Sequence, residues 1–148
     1  MYVKAKKSLG QHFLKDQKIA ERIVESLDLN LSADVLEIGP GTGVLTQHLV
    51  NLGNITFRAA EIDRESIEYL KKNYPQMGEN LLEGDFLNMD LGEIFKGSFS
   101  VIGNFPYNIS SQIFFKLLDY TEQVPQIVCM LQKEVAERLA SPPGNKSY

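Results

Sequence analysis

Four positions in this chain share a setting: Gly39, Glu61, Asp85 and Asn104 each close or follow a short apolar run. The first lies in "EIGPGTG", where Gly39, Gly41 and Gly43 give a G-x-G-x-G pattern. Glycines let the chain turn tightly and bring backbone N–H groups close to a ligand. A dinucleotide fingerprint needs a small residue where Val44 stands, and the loop has no phosphate-binding lysine. Glu61, in "AAEID", follows Gly39 by about 20 residues, the spacing at which a carboxylate can accept from both hydroxyls of a ribose. Asp63 beside it reads as the N-cap of the next helix. Asp85, in "EGDFL", can accept from the exocyclic amine of a purine, and Phe86 can pack on the purine ring. Asp85 also suits a plain turn. A nucleoside without a bound phosphate is the ligand common to the three runs. S-adenosylmethionine fits better than ATP or NAD.

Asn104 opens "NFPYNISS", directly after "FSVIG". The Asn104 side-chain oxygen, with a backbone carbonyl at Phe105 or Pro106, can accept from the two hydrogens of an aromatic amine such as adenine N6. That array favours a more tetrahedral nitrogen, the form in which its lone pair can attack a methyl group. Pro106 fixes the backbone so that the carbonyl can be aimed. Tyr107 offers a face on which the base can stack. Catalysis of this kind rests on positioning and on complementarity to developing charge. It needs no covalent nucleophile and no metal, and no metal site is expected. An Asx-turn followed by a proline-stiffened loop is the plain structural alternative.

The elements that must hold these residues alternate. "QKIAERIVESLDL" spaces Ile19, Ala20, Ile23, Val24 and Leu27 as a helix. "ADVLEIG" reads as a strand and "GVLTQHLVNLG" as a helix stopped by Gly53. "ITFRAAEI" is a second strand, and "RESIEYLKKNY" a helix ending before Pro75. "NLLEGD" and "FSVIGN" are the third and fourth strands. "SSQIFFKLLDY" is a helix with Ser110 or Ser111 as N-cap. "PQIVCMLQ" is the fifth strand, followed by a helix over "KEVAERLA". Strand–helix alternation at these lengths predicts an α/β fold, a parallel sheet with helices on both faces. Ligands of such sheets sit beyond the carboxyl ends of the strands, where the four positions lie.

The chain has 148 residues, 43% of them apolar, enough for one domain with a real core. No apolar run approaches the ~18 residues of a membrane span. The basic start "MYVKAKKSLGQHF" lacks the apolar stretch of a secretory signal. One cysteine, Cys129, allows no internal disulfide, which favours a cytoplasmic setting, and it reads as a packing residue. The net charge is −4, unevenly spread. Residues 1–18 hold five lysines against Asp16, a net +4, which leaves −8 on the remainder. A basic arm on an acidic body suits a polyanionic partner.

Taken together, "KKSLGQHFLKD", "VLEIGPGTGVLT", "EID", "GDFL", "NFPYNISS" and "LQKEVAERL" resemble the ribosomal RNA adenine dimethyltransferases of the KsgA type, over nearly the whole chain. The macrolide-resistance (Erm) enzymes are close relatives of that family. The resemblance implies a Rossmann-like class I methyltransferase fold and the cofactor S-adenosylmethionine. It also implies N6,N6-dimethylation of two adjacent adenosines in the 3′-terminal hairpin of small-subunit rRNA, within a pre-ribosomal particle. By the same resemblance His12, Leu14, Gly39, Glu61, Asp85 and Asn104 bind the cofactor, and Asn104, Pro106 and Tyr107 form the target site. Family members often have Asn where His12 stands and usually Leu where Phe105 stands. They also continue past the position of Tyr148 into a closing hairpin and a helical RNA-gripping domain. The chain is therefore expected to be a fragment, a methyltransferase domain over residues 1–148 with impaired activity, and to self-associate through the open edge of its last strand.

Overall fold

The computed structural model describes residues 16–105 and 108–130. Five strands are β1 (Asp34–Ile38), β2 (Thr56–Glu61), β3 (Leu81–Glu83), β4 (Phe99–Asn104) and β5 (Ile127–Met130). The helices are α1 (Gln17–Glu25), α2 (Thr46–Leu49), α3 (Arg64–Asn73), α4 (Leu91–Ile94) and α5 (Ser110–Leu117). All strand pairs are parallel, in the order β3-β2-β1-β4-β5. The chain builds outward from β1 through β2 to β3, then crosses back to lay β4 on the other side of β1. Crossovers between parallel strands are right-handed, so reversing the direction of growth moves the connecting helices to the opposite face. The reversal falls between β1 and β4, the point where open α/β sheets bind ligands.

Side-chain alternation along the strands feeds two cores. Val35 of β1, Phe57 and Ala59 of β2 and Ile102 of β4 pack with Ala20, Ile23, Leu49, Ile67 and Leu70 from α1, α2 and α3. Leu36 and Ile38 of β1 and Phe99 and Val101 of β4 pack with Leu91, Phe95, Ile113 and Leu117 around α4 and α5. Burying one such Leu, Ile or Phe is worth about 1.5–3 kcal/mol, so both faces contribute to holding the sheet. The expected α/β architecture with helices on both faces is the one observed.

The elements differ locally from the expected ones. The helix expected after the glycine loop shrinks to Thr46–Leu49, with turns on either side and its end well before Gly53. A 3₁₀ segment over Pro75–Asn80 and α4, capped by the Asp90 carboxylate on Gly92 and Glu93 N–H, were not expected. The N-cap of α5 is Ile109, not Ser110 or Ser111, and no side chain caps it. Ser110 is the first helical residue and is buried, so it stands inside the helix rather than at its threshold. The expected helix over "KEVAERLA" lies outside the described residues. Cys129 is partly buried against the core on the α5 face, and burial pushes its thiol up to about 11.

Candidate active site

Because the five described strands are all parallel, the carboxyl ends of β1–β4 fall on one edge. Along it Asp85, Glu61, Gly39 and Asn104 stand in that order, each at or within two residues of its strand's end. With strands ~4.8 Å apart, the row spans roughly 14 Å. Backbone bonds tie it together: Gly39 N–H donates to Ala60 O at 2.9 Å, and Gly84 N–H to Glu61 O at 2.9 Å.

The loop after β1 uses its glycines in two ways. Gly39 and Gly41 have φ of +69° and +59°, and among the described residues a Cβ on either would meet nothing within 4 Å. Their requirement is conformational, and no described residue crowds their backbone, which leaves a cradle a small ligand can enter. Gly43, at φ +87°, is closed off by Tyr74: an added Cβ would lie 2.8 Å from the Tyr74 ring. Tyr74 therefore walls the far side of the loop.

Glu61 is only 7% exposed, and both its oxygens are engaged. Oε1 accepts from Gly41 N–H at 2.9 Å, and Oε2 accepts from the N–H groups of Ile62 and Asp63 at 3.0 Å each. This carboxylate thus fastens the end of β2 to the glycine loop of β1. An ionised carboxylate offers about four acceptor positions. Three are in use, so a diol partner has one acceptor position of its own and shares another with a backbone donor. Asp63 caps α3 as expected, accepting from Ser66 N–H at 2.9 Å.

Beneath the loop, Glu37 of β1 is 2% exposed, with Thr46 Oγ donating to its Oε1 at 2.6 Å. Burial pushes its carboxyl up to about 8, the Thr46 hydrogen bond opposing and the Glu61 charge adding. Glu37 is accordingly mainly protonated at neutral pH. Burial also raises the nearby Tyr74 hydroxyl, with the Tyr69 and Glu37 charges adding.

Asp85 opens the 3₁₀ turn Phe86–Asn88. Its Oδ1 accepts from Leu87 N–H at 3.0 Å and its Oδ2 from the Asn88 amide at 3.3 Å. The turn role and a ligand role are compatible, since lone pairs remain on both oxygens. Phe86 is buried in the core, so it supports the turn from below. Asn104 ends β4, half-buried. Before it, Gly103 permits a close approach: a Cβ there would lie 2.6 Å from Ile38 O and 2.9 Å from the Phe105 ring. Phe105 is buried edge-on against Phe114, centroids 5.7 Å apart, which anchors the backbone on which Asn104 stands. Of the expected site residues, the structure brings Gly39, Glu61, Asp85 and Asn104 together. His12, Leu14, Pro106 and Tyr107 lie outside the described residues.

A family model described as ribosomal RNA adenine dimethylase matches residues 2–148. The chain belongs to that family. It is 57% identical over 147 residues to a Cytophaga hutchinsonii protein named ribosomal RNA small subunit methyltransferase A, covering 99% of this chain and 57% of that protein. Among solved structures it is similar to a Plasmodium falciparum dimethyladenosine transferase, at 30% identity and a TM-score of 0.66, over 100% of this chain and 49% of that one. It is also similar to the 23S rRNA methyltransferase ErmE, at 28% identity and a TM-score of 0.68, over 82% and 48%. This dimethylase-family chain thus spans about half the length of the relatives it matches. The site features that sequence reasoning missed are Glu37 with Thr46, and Tyr74 against Gly43. "VLEIG" offered one signal, a carboxylate on a strand whose other residues are apolar.

Proposed function

We propose that this chain is the cofactor-binding and catalytic domain of an S-adenosylmethionine-dependent small-subunit rRNA adenine dimethyltransferase. The observation that supports it most is the single row of Asp85, Glu61, Gly39 and Asn104 along the sheet edge at the β1/β4 reversal. The residues fit the cofactor: a glycine cradle open to small groups, a carboxylate for a ribose, and a carboxylate for an adenine amine. When bound, S-adenosylmethionine supplies an activated methyl group on a sulfonium.

The chain's own part is to bind and orient. Gly39 lies where the amino-acid part of the cofactor would rest, Glu61 takes the ribose hydroxyls, and Asp85 accepts from the cofactor's adenine amine. His12 and Leu14 complete that pocket. Across the reversal, Asn104 Oδ1 and the carbonyl of Phe105 or Pro106 accept from the two N6 hydrogens of the target adenosine, while Tyr107 stacks on its ring. These acceptors hold the nitrogen lone pair toward the methyl group, and the amine's own rise in acidity as it becomes alkylated lets its proton leave to water. Geometry and charge complementarity carry the rate.

The substrate under this reading is the pair of adjacent adenosines in the 3′-terminal hairpin of small-subunit rRNA, met in a pre-ribosomal particle in the cytoplasm. The basic arm over residues 1–18 supplies a weak, salt-sensitive phosphate attachment. No helix among the described residues is long and apolar enough to cross a membrane. β5 pairs with β4 and, among the described residues, with no other strand, so self-association through that edge is part of the proposal. The test is transfer of labelled methyl from S-adenosylmethionine to undermethylated small-subunit particles, with the chain extended to its relatives' length. Label in two adjacent N6,N6-dimethyladenosines is the expected result. Label elsewhere, or none with a protein that binds cofactor, would refute it.

A further inference from the structure

Lys116 of α5 is half-buried and folds back onto the turn after β3. Its Nζ donates to Met89 O at 2.6 Å and to Leu87 O at 3.2 Å, and stands 5.5 Å from the centroid of the Phe86 ring. Three contacts from one ammonium therefore fall on a single short stretch, Phe86 to Met89. That stretch is the turn that Asp85 opens. Carbonyls leaving a short helix lack intrahelical donors, and a lysine ammonium can satisfy several of them at once. An ammonium is strongly hydrated and normally keeps its head in water, so holding it against two carbonyls and a ring needs a compensating use. Among the described residues Lys116 makes no ion pair, so charge neutralisation is not that use.

Its position supplies one. The turn it grips follows β3, on the cofactor side of the row, whereas α5 follows Asn104 and Phe105, on the target side. A bond between them sets the two halves of the site against each other across a sequence separation of nearly thirty residues. We infer that Lys116 is a positioning residue that fixes the Asp85 turn for reading the cofactor's adenine and couples that turn to α5, the helix that follows Asn104 and Phe105 in the chain. The inference rests on the proposed adenine-reading role of Asp85. Lys116 touches no reacting atom; it acts through the backbone of Leu87 and Met89.

The test reads discrimination, which a loss of stability alone would not move. Dissociation constants for S-adenosylhomocysteine and for S-inosylhomocysteine, whose 6-oxo group gives Asp85 no donor, are measured by calorimetry on the 148-residue chain. Lys116→Met keeps the aliphatic stem but removes the donors. It is expected to weaken the adenosyl ligand about tenfold and leave the inosyl ligand within about threefold, since only the former needs a set carboxylate. Lys116→Arg, which keeps donors, should retain most of the discrimination. Asp85→Ala should abolish it. A wild-type ratio in Lys116→Met beside an abolished ratio in Asp85→Ala overturns the inference while the adenine reading stands. A wild-type ratio in Asp85→Ala removes the adenine reading, and the inference with it. If Lys116→Met does not fold, Lys116→Gln is read in the same way, and failure of both to fold marks Lys116 as scaffold and overturns the inference.

Discussion

Glu61 is the position where the structure changes the size of an expected effect. Read from the sequence, it needs only to accept ribose hydroxyls, and Glu61→Ala would test that. In the fold it also accepts three backbone N–H bonds, from Gly41, Ile62 and Asp63. Alanine removes all three with the ligand contacts, so it mixes loop damage with lost recognition. Glu61→Gln separates them. Its one carbonyl oxygen can keep either the Gly41 bond or the Ile62 and Asp63 pair, and its amide cannot accept. Bonds to a charged group are worth ~1.5–3 kcal/mol and neutral ones about 1 kcal/mol. The loss on the ribose side is then about 1.5–3 kcal/mol, roughly a 10- to 150-fold weaker dissociation constant at 1.4 kcal/mol per decade. Glu61→Ala should lose at least as much affinity, with about 1–3 kcal/mol of stability besides, for donors left behind in a half-buried loop. Calorimetric titration with S-adenosylmethionine, beside thermal unfolding, separates the two costs. A folded Glu61→Gln protein with wild-type affinity would refute the ribose role, and an unchanged melting point in Glu61→Ala would refute the fastening role.

Three other outcomes are expected. Glu37 holds a proton in the fold that the unfolded chain, at an ordinary carboxyl value of 4.5, releases much earlier. Between pH 4.5 and about 8 the folded state binds more protons, so this stabilisation is complete below the window and declines as pH rises through it. Glu37→Gln should flatten that part of the melting-temperature profile and be the more stable form at pH 8 by about 1–3 kcal/mol; matching slopes in both proteins would count against it. Gly103→Ala places a Cβ against the Ile38 carbonyl in the sheet centre and should cost about 1–3 kcal/mol, read by urea unfolding, with a neutral result excluding the close approach. Asn104→Ala should lower methyl transfer by about 10²-fold or more in a chain extended to its relatives' length. The same change should leave cofactor affinity within a few-fold, and equal losses in both would make Asn104 a cofactor residue only.

The sheet was legible because each strand is a short apolar run closed by a residue of another kind, and because helical spacing separates the runs. Parallel alternation then forces Gly39, Glu61, Asp85 and Asn104 to one edge, before any contact is known. Asp63 was legible as a cap for the same local reason: it precedes a helix whose third residue, Ser66, offers its N–H. Ser110 misled because a serine before an apolar helix is the usual capping signal, yet burial drew it into the helix itself. Glu37 was hidden inside a strand, and its partner Thr46 comes into reach only after the glycine loop turns the chain back. The contacts of Lys116 had no local signal, since its partners stand nearly thirty residues earlier and meet it only through the crossing from β3 to β4. Tyr74 against Gly43 is equally non-local. Periodicity fixes which face a residue takes; it does not reveal which distant backbone that face will touch.

The edge formed by the ends of β1, β2 and β3 is proposed above as an S-adenosylmethionine site. Amide chemical shifts followed by NMR during titration of the ¹⁵N-labelled chain test it without any substrate. Saturable shifts are expected at Gly39, Gly41, Ile62, Asp63 and Leu87, with NAD leaving the same amides unmoved at equal concentration. Shifts confined to the opposite edge of the sheet, or an equal response to NAD, would contradict it.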